Sequence, residues 1–176
     1  VWTAGLPCSS HPYLTTKRVQ SYGLRVDARG RLLIPLYDFD GNLHGVQTID
    51  AKGKKLWVLG ANRQLPTHFV IGELDGAEVI EVVEGYATGA TVHEATGHPV
   101  VVAFDAGGLE KIAKPLRARY LRAHLVFAGD NDASETGQKA AEAAARAAGG
   151  VAVMPPITGT DWNDHAHGKI DVCEPH

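Results

Sequence analysis

The stretch VIEVVEGYATG, residues 79–89, reads as a short apolar strand that runs into an acid, a glycine and then a helix. Glu84 follows the strand directly. Gly85 and Gly89 remove side chains from the turn, so a phosphate could approach the backbone and the helix N-terminus there. No Lys-Ser or Lys-Thr follows the second glycine, so the turn is not a P-loop. Two more apolar runs end in the same way. Residues 124–128 (HLVFA) lead into Gly129, Asp130, Asn131 and Asp132, and residues 151–154 (VAVM) lead through a Pro-Gly loop into Asp161 and Asp164. In an open parallel α/β sheet, ligands sit outside the carboxyl ends of the strands. Acids delivered there by three strands converge on one spot. Clustered carboxylates repel one another, and such a cluster implies a hard divalent cation, with Mg²⁺ the usual one where phosphates are handled.

Outward from these strands, the chain alternates strand and helix from residue 78 onward, the mark of a parallel sheet. The pattern predicts a helix over about 86–95 closed by Gly97, a strand over 100–104, and a helical stretch over about 107–121 that Pro115 interrupts or restarts. A helix over about 134–148 follows the strand at 124–128. Ala140, Ala141, Ala144, Ala145 and Ala148 form its small-residue stripe, and Gly149-Gly150 ends it. The expected fold class is α/β, with a central four-stranded, mainly parallel sheet flanked by helices.

Residues 31–72 instead read as β-rich. A strand over 31–38 turns at Asp40-Gly41, a strong hairpin signal, into a second strand over 43–49. Lys52-Gly53-Lys54 turns into a third over 55–58. Pro35 predicts that the first strand lies at an edge or is bulged. Such a meander is too slight to stand alone and is expected to pack on the α/β portion of the chain. Residues 1–30 read as irregular with one short helix, starting near Thr15-Thr16 with a threonine as N-cap. This divides the chain into a small β-rich segment, 1–72, and an α/β domain, 73–176.

Net charge is −3, but the average hides a split. Residues 1–72 hold nine Lys and Arg against four acids, a net +5, and the remainder carries −8. A basic surface for a polyanion beside an acidic, metal-binding site fits that asymmetry. Cys8 and Cys173 lie far apart with no C-x-x-C, which argues against a structural zinc site and reads as two reduced thiols in a cytoplasmic protein. No apolar stretch approaches the ~20 residues of a membrane span, and no basic start followed by an apolar region suggests secretion. The chain begins with Val1, so a longer parent protein is expected.

Each acid has a bland reading beside the chemical one. Glu84 can be a metal ligand or a proton acceptor, or merely a helix cap. Asp130 and Asp132, one residue apart, can reach one ion, but Asp132 or Ser134 can also cap the next helix. Asp161 and Asp164, three apart, share a face if a helix starts there, and either bind a second ion or cap that helix. Trp162 between them reads as a packing residue. Asp105 ends the second strand and either approaches the site or caps the helix after it. The histidines are scattered. His165 and His167 lie near the acidic loop but cannot both face it from a helix, so they read as surface residues or as residues standing just behind the site.

Taken together, a Glu-Gly turn after the first strand, an Asp-x-Asp after the third and a distal Asp pair resemble the Toprim domain. That fold is shared by bacterial-type primases, type IA and II topoisomerases, some nucleases and recombination proteins. Residues 84–89 (EGYATG), 130–134 (DNDAS) and 159–164 (GTDWND) are similar to primases of conjugative plasmids and phages. Residues 31–36 (RLLIPL), 38–50 (DFDGNLHGVQTID) and 54–60 (KKLWVLG) resemble the small basic β-subdomain that precedes Toprim in such primases.

The resemblance implies a nucleotidyltransferase that makes short primers on a single-stranded DNA template from nucleoside triphosphates. Glu84 would stand beside the reacting 3′-hydroxyl, Asp130 and Asp132 would bind Mg²⁺ or Mn²⁺, and Asp161 and Asp164 would add metal contacts. Arg31, Lys54, Lys55 and Arg63 would grip template phosphates or the incoming triphosphate, largely independently of sequence. The zinc-binding module and helicase motifs found with such cores are missing from this sequence; either the fragment excludes them, in which case a replicative helicase or zinc-binding module is expected in the full-length protein, or the intact protein lacks them. Two rivals remain. One is a Toprim nuclease using the same metals, against which the basic β-segment argues. The other is a non-catalytic nucleic-acid-binding module, against which the intact set of acids argues. A topoisomerase would need a nucleophilic tyrosine in a separate domain.

Overall fold

The computed structural model describes residues 1–168. Cys173 lies outside the described residues. Among the described residues two sheets form, each with five strands. The first is antiparallel and runs β1 (Leu6–Pro7), β2 (Arg25–Val26), β3 (Leu32–Tyr37), β4 (Leu43–Ile49) and β5 (Lys55–Trp57), with neighbours in that order. A short helix, α1 (Pro12–Lys17), lies between β1 and β2. The expected hairpins at Asp40-Gly41 and Gly53 are present, with positive φ at both glycines.

Pro35 does not sit on an edge strand, because β3 is flanked by β2 and β4. It is tolerated for a local reason. β2 pairs only with Leu32 and Leu33, so it has ended before Pro35 is reached. On the other side Pro35 stands opposite Val46, whose carbonyl accepts from Val58 instead of from β3. The missing N–H therefore breaks no ladder bond. A bulge follows at Leu36/Tyr37.

The second sheet has the order β10-β9-β7-β8-β6. Its strands are β6 (Phe69–Ile71), β7 (Val79–Val83), β8 (Val100–Val102), β9 (His124–Ala128) and β10 (Val151–Val153). Four are mutually parallel, and β6 adds an antiparallel edge against β8. The connecting helices are α2 (Tyr86–Thr96), α3 (Ala106–Arg119) and α4 (Thr136–Ala148), with a short α5 (Trp162–Ala166) after β10. β8 is shorter than expected because Phe104 adopts φ 74, which no strand residue can keep. α3 runs through Pro115 unbroken. The carbonyl that Pro115 leaves without a donor belongs to Lys111, which is exposed, so water can satisfy it.

Strand alternation sorts the apolar side chains onto two faces. Ile80, Val82, Val101, Leu125 and Phe127 face α3 and α4, where Leu109, Ile112, Leu116 and the alanine stripe of α4 meet them. Alanine brings α4 very close. A Cβ on Gly129 would stand 2.8 Å from Ala141 Cβ. Val83, Val100 and Val102 face the other way, toward α2, and share one core with Leu32, Ile34, Leu36 and Ile49 of the first sheet. The β-meander therefore does pack on the second sheet. Tyr86 ties the layers further. Its hydroxyl donates to the Gln20 carbonyl and accepts from the Tyr22 amide, both at 2.8 Å.

Candidate active site

Register decides where the acids go. Val83 stands opposite Val102 in β8 and Ala128 in β9, and Ala128 stands opposite Val153 in β10. The residues that follow these strands therefore leave the sheet at one level. β7 also has β8 on one side and β9 on the other, so the connections diverge there and open a crevice. A cleft of about 270 Å³ lies at that point. Glu84, Asp105, Asp130 and Asp161 line it from the second sheet, and Tyr13, Lys17, Gly53 and Lys55 line it from the first layer.

Glu84 Oε1 and Asp130 Oδ1 are both buried without a hydrogen-bond partner among the described residues. Burial pushes the Glu84 carboxyl up to about 7, and the charges of Asp130 and Asp132 push the same way. Burial, then the charge of Asp161, pushes Asp130 up to about 6, while Lys55 and Lys17 pull it down. Both acids crowd the first turn of α4. A Cβ on Gly137 would meet Glu84 Oε1 at 2.8 Å and the Asp130 backbone oxygen at 2.9 Å. Only glycine lets that turn approach.

Asp132 is differently placed. Its carboxylate accepts from the Ser134 amide at 2.8 Å and the Gly137 amide at 3.1 Å, and also from the Ser134 hydroxyl. The hydroxyl bond is the main reason its carboxyl titrates below the usual range, with the Gly137 amide next. Asp132 thus caps the turn into α4, which starts at Thr136 and not at Ser134 because Glu135 adopts φ 58. Asn131, between the two acids, stitches the distal loop into place. Its amide donates to the Thr160 carbonyl at 3.1 Å and its side chain to the Pro155 carbonyl at 2.8 Å, and its own carbonyl accepts from Gly159 at 2.6 Å. That stitch brings Asp161 to the cleft beside Asp130.

Asp161 caps α5, accepting from the Asp164 amide at 2.7 Å. Lys17 Nζ lies 3.7 Å from Asp161 and 3.8 Å from Asp164. Asp164 does not line the main cleft but an adjoining hollow with Thr16, Arg18 and His167. Asp105 caps α3 through Gly108 at 2.8 Å and also reaches the cleft, so both readings of it hold. Its second oxygen pairs with Arg63 at 2.6 Å. The Arg63 guanidinium lies over the Trp57 ring at 4.6 Å. His165 packs edge-on against Trp162 and takes no place in the cleft.

Of the expected phosphate-gripping cations, Lys55 lines the cleft, with Nζ 3.4 Å from where a Cβ on Gly85 would stand, and Arg63 sits beside it through Asp105. Arg31 is paired with Asp27 at 2.6 Å and Lys54 sits in the turn held by Asp50. Neither lines the cleft. Sequence reasoning misses Tyr13, Lys17, Asn131, Gly137 and Asn163. Tyr13 and Lys17 are four apart on one face of α1, a signal hidden by placing the helix start at Thr15. His11 is the N-cap, its ring accepting from the Tyr13 amide, and Arg18 ends the helix in the left-handed region. Asn163 donates to the Lys17 carbonyl at 2.7 Å and to the Thr91 hydroxyl at 2.8 Å, locking α5 to α1 and α2.

Among the described residues, no three acid, histidine or cysteine side chains form a ready-made cage for an ion. The donor set still suits a hard cation. It consists of carboxylate oxygens, and two of these are buried with no hydrogen-bond donor among the described residues.

A family model described as the Toprim domain matches residues 79–169. Two curated relatives, each described as DNA primase TraC from Escherichia coli, are 34% identical over 184 residues and 37% identical over 155 residues. The matches cover 90% and 82% of this chain but only 17% and 11% of those relatives. The chain thus spans less than a fifth of their length. Among solved structures, the primase fragment of the bacteriophage T7 primase-helicase protein superposes with a TM-score of 0.71 at 19% identity, covering 97% of this chain and 74% of that one. The DnaG catalytic core superposes with a TM-score of 0.60 at 13% identity, covering 89% and 67%. At these identities the structural likeness concerns the fold alone.

Proposed function

Because the chain belongs to the Toprim family, we propose that it is the catalytic core of a DNA primase, joining nucleotides into short primers on single-stranded DNA. One observation carries this reading. Glu84, Asp130 and Asp161 meet in a single cleft whose other wall presents Lys17 and Lys55. An acidic floor facing a basic wall suits a reaction between a nucleotide end and a nucleoside triphosphate. In our reading the basic β-rich segment over 1–72 guides the template and the α/β domain over 73–176 performs the transfer.

Glu84, Asp130 and Asp132 would hold Mg²⁺ or Mn²⁺, with Asp161 and Asp164 as further contacts. The bound ion would activate the attacking hydroxyl and neutralise charge on the departing pyrophosphate. Glu84, near neutrality in its carboxyl titration, is suited to accept the proton of the attacking 3′-hydroxyl. Asp132, held by four donors at the turn into α4, is a fixed point that orients the acidic edge. Lys55 lies over Gly85 at the open start of α2, where no side chain caps the helix, and would orient phosphate oxygens there. Arg63 would contact the template strand beside it, while Arg31 and Lys54 lie further along the first sheet as candidates for longer-range phosphate contacts. A helicase or a zinc-binding module would be supplied by the rest of a longer protein.

The test is incorporation of labelled nucleoside triphosphates on single-stranded DNA with Mg²⁺ or Mn²⁺. Wild type is expected to make primers, and Asp130→Ala to make at least about 100-fold fewer. Equal product from both overturns the reading. Metal-dependent loss of the DNA without incorporation would assign the cleft to a nuclease instead.

A further inference from the structure

Tyr13 is 5% exposed, and its hydroxyl, which makes no hydrogen bond among the described residues, is not shut off from solvent but opens on the cleft that the residue lines. The ring is fixed by packing. Its edge lies 3.4 Å from where a Cβ on Gly53 would stand, and the chain there turns with φ 86, which keeps that position a glycine. The remaining freedom of Tyr13 is toward the cleft that it lines. Lys17, one turn later on the same face of α1, lines the same cleft. Across from them is the start of α2, an eleven-residue helix whose N-cap Gly85 offers no side chain to its first-turn amides. The two sides of the cleft together offer the Tyr13 O–H, the Lys55 ammonium, the Lys17 ammonium shared with Asp161 and Asp164, and a set of open N–H donors, groups able to hold a chain of phosphates.

Resting on the primase reading, we propose that the Tyr13 hydroxyl donates a hydrogen bond to a non-bridging oxygen of the incoming nucleoside triphosphate, making Tyr13 a binding residue of the polyphosphate subsite. A tyrosine keeps its proton through the neutral range, so the hydroxyl is a donor at working pH. A neutral donor beside Lys17 adds direction to what a flexible ammonium supplies only as charge.

Tyr13→Phe removes the hydroxyl and keeps the ring. Binding is measured with a single nucleoside triphosphate and divalent metal in the absence of template, and again with the corresponding monophosphate. The expected result is roughly tenfold weaker triphosphate binding, the loss of one charge-assisted hydrogen bond. Monophosphate binding and the melting temperature stay unchanged. In primer synthesis the same variant raises KM with little change in kcat. Equal triphosphate affinity in both proteins overturns the proposal while leaving the primase reading intact. If wild type binds no triphosphate and makes no primer, the primase reading itself falls. Should the variant fail to fold, ¹³Cζ-labelled tyrosine in the wild type decides the matter. The Tyr13 resonance shifts on adding triphosphate if the contact forms, and its standing still refutes the contact.

Discussion

At the scale of single residues, the two orphaned carboxylates are proposed to hold the chemistry, and their burial works against the fold. A buried anion without a partner costs stability that only a ligand can return. Glu84→Gln and Asp130→Asn are therefore expected to raise the melting temperature of the metal-free protein by a few degrees while abolishing primer synthesis, a trade seen directly by melting and assay in parallel. Added Mg²⁺ should raise the wild-type melting temperature and leave the double variant unmoved. His68 gives a separate pH signature. It is buried against Phe39, with ring centroids 4.2 Å apart, and burial lowers it to about 4. The folded value lies below the unfolded one of about 6.5. Its neutral form is thus favoured in the fold, and the stability this gives is complete above about 6.5 and lost as pH falls toward 4. The effect is about 3 kcal/mol. His68→Phe should shrink the drop in melting temperature between pH 7 and pH 4.

At the scale of elements, the first turn of α4 is the tightest fit in the site. Gly137→Ala would ordinarily stabilise a helix by about 1 kcal/mol. Here the methyl meets Glu84 Oε1 at 2.8 Å and backbone at 2.9 Å, so a net loss of about 1–3 kcal/mol is expected in denaturant titrations, with a larger proportional loss of activity as Glu84 is displaced. Asn163→Ala should cost a similar amount and release α1 and α5 to hydrogen exchange, because two bonds of one amide hold them together. The strands that end on acids are legible from their apolar runs, and so is α4 from its alanines. Register then follows, since four parallel strands of similar length place their carboxyl ends together. Asp132 is ambiguous in sequence for a sound reason: a carboxylate one residue from another serves equally as ligand or cap, and only the φ 58 of Glu135 directs it to the amides. Lys17 and Asn163 are invisible there because their roles depend on partners that the chain order does not bring near. β6 falls inside the stretch read as β-rich, but three residues carry too little periodicity to be told apart as a strand of the other sheet.

At the scale of the whole molecule, the two sheets share one apolar core, so neither is a free-standing half. Leu32, Ile34 and Ile49 pack with Ile71, Val83 and Val102. A fragment beginning at residue 73 would lose β6 and uncover the α2 face of the remaining sheet. It is expected to bind a hydrophobic dye and to melt without a cooperative transition, whereas the intact chain should unfold in one step. Two independent transitions in the intact chain would show that the layers are separable after all. No described helix is long and apolar enough to cross a membrane.

The bond between the Asn163 amide and the Lys17 carbonyl spans 146 positions of the chain. On a ribosome, Lys17 emerges long before its counterpart exists, and both walls of the cleft wait for α5 to be made. On the primase reading, catalytic competence should therefore appear abruptly once that short helix clears the exit tunnel, with no partially active shorter nascent form beforehand.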